Sequence, residues 1–550
     1  MRLDEIKNGL APAAEITNPR TMPATTSVPS IRSTLRHRRF RGMWGSGAIY
    51  FVGNAMQAMA AAWMMVELSE SSFLAALVQT AVFLPMFLFS LPAGVLADIT
   101  DRRRLILLAL AIQALVGTLL AALLLARVAG PGTVLFMIFV SGGCTAFLSP
   151  AWNSAIGESV PRDELPQAIT AMGIAYNVAR ALGPALAGVV FTLAGGPWNF
   201  VIAVLSTLLM MQAIRRWPPK PHPPSRLPAE RLWGGMLSAL RFAWHSHIVL
   251  AQLVRAGAYC AAGSGLWALL PVIGQRQLGL GAAGFGLLMG CLGTGAIVAG
   301  FLIGGWRARY GLERLVAGGC IVFAAVMLIA AFSSWDPPVY VALVLGGGAW
   351  MAVMSTFNTA TQTSVPPWVR ARAVAMHTLS ALGAFALGSA FWGALSDLTS
   401  LQFALGAAAV CMAAGPLMAR RFPLRMGETQ DVTPATPWED LFLSYEPDPE
   451  AGPIAVEMGY RIHADNTADF LDAISQLRAP RRRDGATFWR IYRDLADPSR
   501  YVERFIVTSW ADYLHQRART TMADHEIEAH VRGFLLEGET VSMQHYIAER

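Results

Sequence analysis

Lysine is almost missing from this chain. Only Lys7 and Lys220 occur in 550 residues, and neither follows a glycine. A phosphate-cradling GxxxxGK[ST] loop is therefore excluded, and with it a Walker-type ATPase. Charge of either sign is scarce: 14% of residues, against about 25% in an average soluble chain. Hydrophobic residues make up 54%, and mean hydropathy is +0.43. So few charges cannot cover the surface of a water-soluble protein of this length, so most of the chain must face lipid. The five cysteines (Cys144, Cys260, Cys291, Cys320, Cys411) lie in apolar runs and form no CxxC. That pattern supports neither a metal site nor a disulfide framework, and it reads as small buried hydrophobes. No cofactor is implied. A secretory signal is lacking too: residues 1–40 are polar and lead into a basic cluster rather than a short apolar core.

The net charge of +7 is unevenly placed. Residues 1–437 hold 30 Lys+Arg and 16 Asp+Glu, whereas residues 438–550 hold 13 and 20. A membrane body with basic edges and an acidic soluble tail fits this split, and a nucleic-acid partner does not. From residue 42 onward come twelve apolar stretches of bilayer-crossing length, about twenty residues each. They cover 42–67, 72–98, 105–127, 132–156, 166–194, 198–214, 247–273, 282–306, 313–333, 338–361, 372–396 and 400–419. Arginine crowds one set of loops (Arg102 to Arg104, Arg307, Arg309, Arg314, Arg370, Arg372, Arg420 to Arg425), while the other set carries Arg127 and Arg276. The positive-inside rule then puts both termini in the cytosol of a multi-pass cell (plasma or inner) membrane protein.

The expected domains are a disordered cytosolic arm (1–40), a six-helix half (41–214), a proline-rich linker with an interfacial amphipathic helix (215–246), a second half (247–420), a linker (421–452) and a soluble unit (453–550). The halves read as duplicates. At an offset of 205, Gly142-Gly143 meets Gly347-Gly348, Asn153 meets Asn358, Ser159-Val160-Pro161 meets Ser364-Val365-Pro366, and Gly183 and Gly188 meet Gly388 and Gly393. Parallel six-helix repeats are a transporter architecture with the substrate held between halves near the midplane. The tail alternates as βαββαβ, the ferredoxin-like order.

The loop after the second span, Gly94-Val-Leu-Ala-Asp98-Ile-Thr-Asp-Arg102-Arg103-Arg104, resembles the signature loop of the major facilitator superfamily. The fifth span, Asn177-Val-Ala-Arg180-Ala-Leu-Gly183-Pro184-Ala-Leu-Ala-Gly188, is similar to the GPxxGG-type motif of that superfamily's exporters. The stretch from Ser149-Pro150-Ala151 to Val160-Pro161-Arg162 resembles the branch of bacterial siderophore and drug exporters, including the enterobactin-exporter-like group. The resemblance covers about residues 40–420. It implies an all-α polytopic body of twelve transmembrane helices in two six-helix repeats (the major facilitator fold), beside the small α+β tail. It also implies a cytosolic gate built from Gly94, Asp98, Arg102 and Arg103, and proton antiport. The second-half loop departs from the pattern, with Gly304 where the first half has Asp98. In its strand and helix pattern and in segments such as Phe505-Ile-Val-Thr-Ser-Trp510-Ala-Asp-Tyr-Leu-His515, the tail is similar to dimeric domains related to antibiotic-biosynthesis monooxygenases, which implies a homodimer contact or a regulatory cap.

Polar groups inside apolar spans point to a pathway, because charge facing lipid costs ~2.5–3.5 kcal/mol. Asn54 and Gln57, Asn177 and Arg180, and Gln252 and Arg255 each share an i, i+3 face. The two arginines either bind an anionic or oxygen-rich substrate or pair with a carboxylate or helix end. Asn358, Gln362 and His377 lie nearer the cytosolic ends. No carboxylate falls at mid-membrane; Glu67 and Glu158 are the candidates for a proton link, and Glu158 also reads as a helix cap. Together with these residues, the resemblance implies a secondary exporter of a siderophore-like or lipophilic drug-like small molecule. The alternatives are a membrane-anchored enzyme with a cofactor-free monooxygenase-like tail, and an importer of the same fold.

Overall fold

A computed structural model describes residues 31–217, 244, 246–425, 445 and 447–549. Twelve helices among them are long and apolar enough to cross a membrane. The first six are α1 (Arg38–Leu68), α2 (Ser72–Ile99), α3 (Arg102–Leu125), α4 (Pro131–Gly157), α5 (Leu165–Ala194) and α6 (Gly196–Arg215). The second six are α7 (His247–Val272, continued by a π-helical turn Ile273–Gln277), α8 (Ala282–Tyr310), α9 (Leu312–Phe332), α10 (Asp336–Thr363), α11 (Pro367–Leu398) and α12 (Leu401–Ala414). Short polar residues set several starts. Ser71 accepts the Leu74 N–H, Asp101 the Arg103 and Arg104 N–H groups, and Ser400 the Phe403 N–H, each satisfying donors that a helix N-terminus leaves unpaired.

The helices pack as two copies of one arrangement. In the first half α2 packs on α4, α1 on α5 and α6, and α3 on α4 and α6. In the second, α8 packs on α10, α7 on α11 and α12, and α9 on α10 and α12. The most extensive packing between the halves is at two seams, α2 on α11 and α5 on α8. The repeated glycines sit at matching contacts. A Cβ on Gly142 would lie 2.7 Å from Val82 O, and one on Gly347 would run into Leu292 O, so both admit a helix backbone at close range. Gly188 and Gly393 do the same at the two seams, where a Cβ would meet Ala282 O at 2.6 Å and collide with Ala76 Cβ.

Residues 31–40 depart from the expected disordered arm. Ile31–Thr34 is a helical turn and α1 already runs from Arg38. Side-chain anchors explain this: His37 lies 3.0 Å from Glu164, and the Arg39 guanidinium sits 5.0 Å from the Trp217 ring centroid. The expected amphipathic helix of 215–246 falls mostly outside the described residues.

The tail forms a four-stranded antiparallel sheet from β1 (Ile454–Arg461), β2 (Phe488–Arg493), β3 (Arg500–Val507) and β4 (Ser542–Ile547), in the order β2-β3-β1-β4. That is the ferredoxin-like order. Strand alternation puts Ile454, Val456, Met458 and Tyr460 on one face, in a core with Phe470 and Ile474 of α13 (Thr467–Ser475), Trp510 of α15 (Trp510–Arg519) and Val531 of α16 (Met522–Arg532). An unexpected helix, α14 (Arg478–Asp484), precedes β2. It has no apolar stripe. Charge holds it instead: Arg481 lies 3.1 Å from the fully buried Glu503 and 2.9 Å from Glu528, and Arg483 lies 2.8 Å from Asp484 and 2.5 Å from Asp524.

Candidate functional site

A cavity of about 450 Å³ lies between the two halves, lined by α1, α2, α4, α5 and Met210 of α6 from one and by α7, α8, α10 and α11 from the other. Its wall is mainly apolar, with nine aromatic and five methionine side chains. Helical spacing explains how α1 and α5 reach it. Phe51, Asn54 and Ala58 recur every three or four residues, and so do Tyr176, Arg180 and Pro184. Arg180 is the single charged side chain on the wall among the described residues, and its guanidinium sits 5.1 Å from the Trp267 ring centroid on α7 of the other half. This cation–π contact crosses the space between halves without neutralising the charge.

Three of the nine pathway candidates line this cavity: Asn54, Gln57 and Arg180. Gln57 belongs to a buried polar chain that residue spacing does not assemble. Tyr50 Oη donates to Gln113 Oε1 at 2.9 Å, Gln113 Nε2 donates to Ser141 Oγ at 3.2 Å, and Gln57 Nε2 approaches the same Ser141 Oγ at 3.5 Å. The signal in the sequence is Gln113 itself, a lone amide in an apolar span. Gln79, also on the wall, carries the same signal.

The other candidates lie away from the wall. Asn177 Nδ2 donates to Gly173 O of its own helix at 2.8 Å. Gln252 Nε2 donates to Ser364 Oγ at 3.1 Å, and Asn358 Oδ1 accepts from Gln362 Nε2 at 2.7 Å. His377 is buried in α11. Arg255 is 3% exposed and places one nitrogen 2.7 Å from both oxygens of Glu313, and Glu313 in turn accepts the Leu424 N–H at 2.6 Å. Arg255 therefore clamps the chain leaving α12. Glu67 accepts from Trp63 Nε1 at 2.8 Å. Glu158 is bonded to Arg102 and lies 3.9 Å from Arg39. Arg103 donates to Arg215 O at 2.6 Å, tying α3 to the end of α6. Gly94 has open space at its Cβ position, whereas Gly183 faces Ala55 at 2.6 Å and Gly188 faces α8. The Asp98 side chain falls outside the described residues.

In the tail, His545 Nε2 lies 2.6 Å from Tyr513 Oη. Burial, with Arg517 nearby, holds the His545 ring below the ordinary histidine range. Burial works against the charge on Arg481, but Glu503 and Glu528 outweigh it and keep the group firmly protonated. Burial pushes the Glu528 carboxyl up, and Arg481 opposes it. Among the described residues no three His, Cys, Asp or Glu side chains converge to hold a metal.

A family described as transmembrane secretion effector matches residues 30–550, soluble unit included. The chain belongs to this family. It is a transporter of the major facilitator superfamily. Among curated relatives, the enterobactin exporter EntS of Salmonella typhi is 27% identical over 375 residues, 66% of this chain and 86% of that one. The multidrug efflux pump Tap of Mycolicibacterium fortuitum is 24% identical over 369 residues, 64% and 87%. Two solved structures share the fold: a variant of the nucleoside transporter NupG (TM-score 0.60, 12% identity, 70% of this chain and 100% of that one) and a bacterial ferroportin homologue in an inward-facing state (TM-score 0.54, 16%, 70% and 99%).

Proposed function

We propose that this secretion effector transporter exports an amphipathic aromatic small molecule, siderophore-like or drug-like, by alternating access. The observation that carries the reading is the cavity between halves, apolar on most of its wall and charged at Arg180 alone among the described residues. Exporter relatives support the direction. The arginine-rich face is assigned to the cytosol on the positive-inside rule, which puts both termini there. On that face the described ion pairs stay within a half: Arg102 with Glu158, His37 with Glu164, Arg255 with Glu313. The opposite face carries hydrogen bonds between halves, from Ser71 to Asp397 and from Arg276 to the carbonyl of Glu70. The conformation is therefore read as closed outside and open to the cytosol. The loop from Gly94 through Asp98 to Arg102 and Arg103 serves as the cytosolic gate that closes in the other state, and the Gly183-Pro184 to Gly188 segment controls the α5 seam.

Arg180 is assigned the anionic or oxygen-rich part of the cargo. Proton antiport is part of the same reading. A hundredfold gradient costs ~2.7 kcal/mol, and one charge crossing 100 mV supplies ~2.3 kcal/mol. Glu67 and Glu158 are the carboxylates to examine, although neither lines the cavity. The uncovered sheet face of the tail, with Tyr492, Val502, Ile506 and Tyr546, is assigned to contact with a second copy. The test is flux of a fluorescent aromatic acid in inside-out vesicles under an imposed pH gradient. Accumulation in the lumen is expected. Transport only in the reverse sense, from the outer face to the cytosolic one, would overturn the direction.

A further inference from the structure

The loop joining α1 to α2 is gripped from across the molecule by two side chains of the second half. Asp397, at the end of α11, accepts the Ser71 hydroxyl at 2.5 Å and the Ser72 backbone N–H at 2.6 Å. Ser71 Oγ in turn accepts the Leu74 N–H at 3.1 Å, so the carboxylate extends the cap of α2. Arg276, in the π-helical turn ending α7, donates to Glu70 O and reaches Ser69 O at 3.5 Å. A carboxylate thus takes the donors of this loop and a guanidinium takes its acceptors. Both are charge-assisted bonds, the stronger kind.

The repeat indicates that this grip is an addition to the shared packing. At the offset of 205 that aligns α5 with α11, Asp397 corresponds to Thr192. The Thr192 hydroxyl turns back to Gly188 O of its own helix at 2.9 Å. Yet Gly188 and Gly393 provide the same close approach at their two seams. The two seams are therefore alike in apolar packing and unlike in polar bonding. Only the α2–α11 seam has a carboxylate bridging the halves among the described residues.

We propose that Asp397 and Arg276 form a two-point latch on residues 69–72 that holds the outer side closed and sets the balance between the two access states. The proposal rests on the alternating-access reading above. Both groups are positioning residues, remote from the cavity wall. Because packed halves move as rigid bodies, releasing the latch opens both seams together.

Hydrogen exchange read by mass spectrometry on the full chain in nanodiscs tests this. In Asp397→Asn and Arg276→Gln, exchange is expected to rise about tenfold at residues 282–290, the far seam, the change expected for losing one charge-assisted bond. Loss of a local cap alone raises exchange at 71–75 and leaves 282–290 untouched, and that result overturns the latch. Vesicle flux measured alongside separates the two readings. A variant that leaves the far seam unchanged while the wild-type protein transports cargo sinks the latch alone. A far seam that opens in a protein moving no cargo sinks the export reading and leaves the latch standing.

Discussion

Arg180 and Arg255 are both arginines in apolar helices, each three residues after an amide, and their surroundings separate them. Arg255 has Glu313 across a 2.7 Å gap, whereas Arg180 has an indole face and open cavity. Truncating Arg255 leaves Glu313 with the Leu424 N–H and no cation among the described residues. Arg255→Ala is expected to lower stability by about 1.5–3 kcal/mol, seen as a reduced melting temperature in detergent. Arg180→Gln has the opposite signature. The melting temperature stays near wild type, while preference for an aromatic acid over its methyl ester falls about tenfold. Arg180→Lys keeps part of that preference, because an ammonium retains the charge and loses the planar fork. Paired flux measurements on acid and ester decide this, and an unchanged ratio in Arg180→Gln removes the cargo assignment.

Among the elements, the glycine repeat is legible in residue order alone, because a shared offset in two apolar halves has few origins other than duplication. The contacts explain why those glycines matter. Gly347 on α10 lies against Leu292 O, and Gly295 on α8 lies against Val344 O, each too close to leave room for a Cβ. The two helices therefore cross with each backbone lodged against the other. Gly347→Ala forces them apart and is expected to cost about 1–3 kcal/mol, measured as loss of folded protein on heating. Wild-type thermal stability in that variant contradicts the crossing. Helix α14 shows what pattern reading misses. Arg-Ala-Pro-Arg-Arg-Arg-Asp has no apolar period, so nothing local marks it as helical. Its carboxylate partners Glu503, Asp524 and Glu528 come from β3 and α16, and only the folded domain brings them to it.

For the molecule as a whole, the membrane body and the tail answer to different conditions. The tail has its own core and responds to pH through His545. Its ring is held below the ordinary value of 6.5 by burial and Arg517. A basic group with a lowered pKa favours the folded state while neutral. That stability is present above pH 6.5 and is lost as pH falls through it. Glu528 and Asp484 act with the opposite sign, since burial raises both and protonation relieves them. A urea titration of residues 447–550 is expected to show the midpoint falling below pH 6.5. His545→Gln flattens that slope, and Glu528→Gln, which removes an opposing contribution, steepens it. A midpoint indifferent to pH in the wild-type unit would contradict the assignment.

Residue order alone dictates the membrane body, its twelve crossings, the duplication and the tail's strand order. Hydropathy, charge and local periodicity are properties of neighbouring residues, so each is written in one dimension. Which polar faces meet the cavity is settled only by packing in three. Asn54 with Gln57 reaches it, Gln252 with Arg255 does not, and Asn177 is separated from Arg180. Spacing tells that two residues share a face of a helix, but the direction of that face depends on how the helix is rotated among its neighbours. The pairing of Asp397 with Ser71, 326 positions apart, is invisible in one dimension for the same reason: it exists only where two halves close.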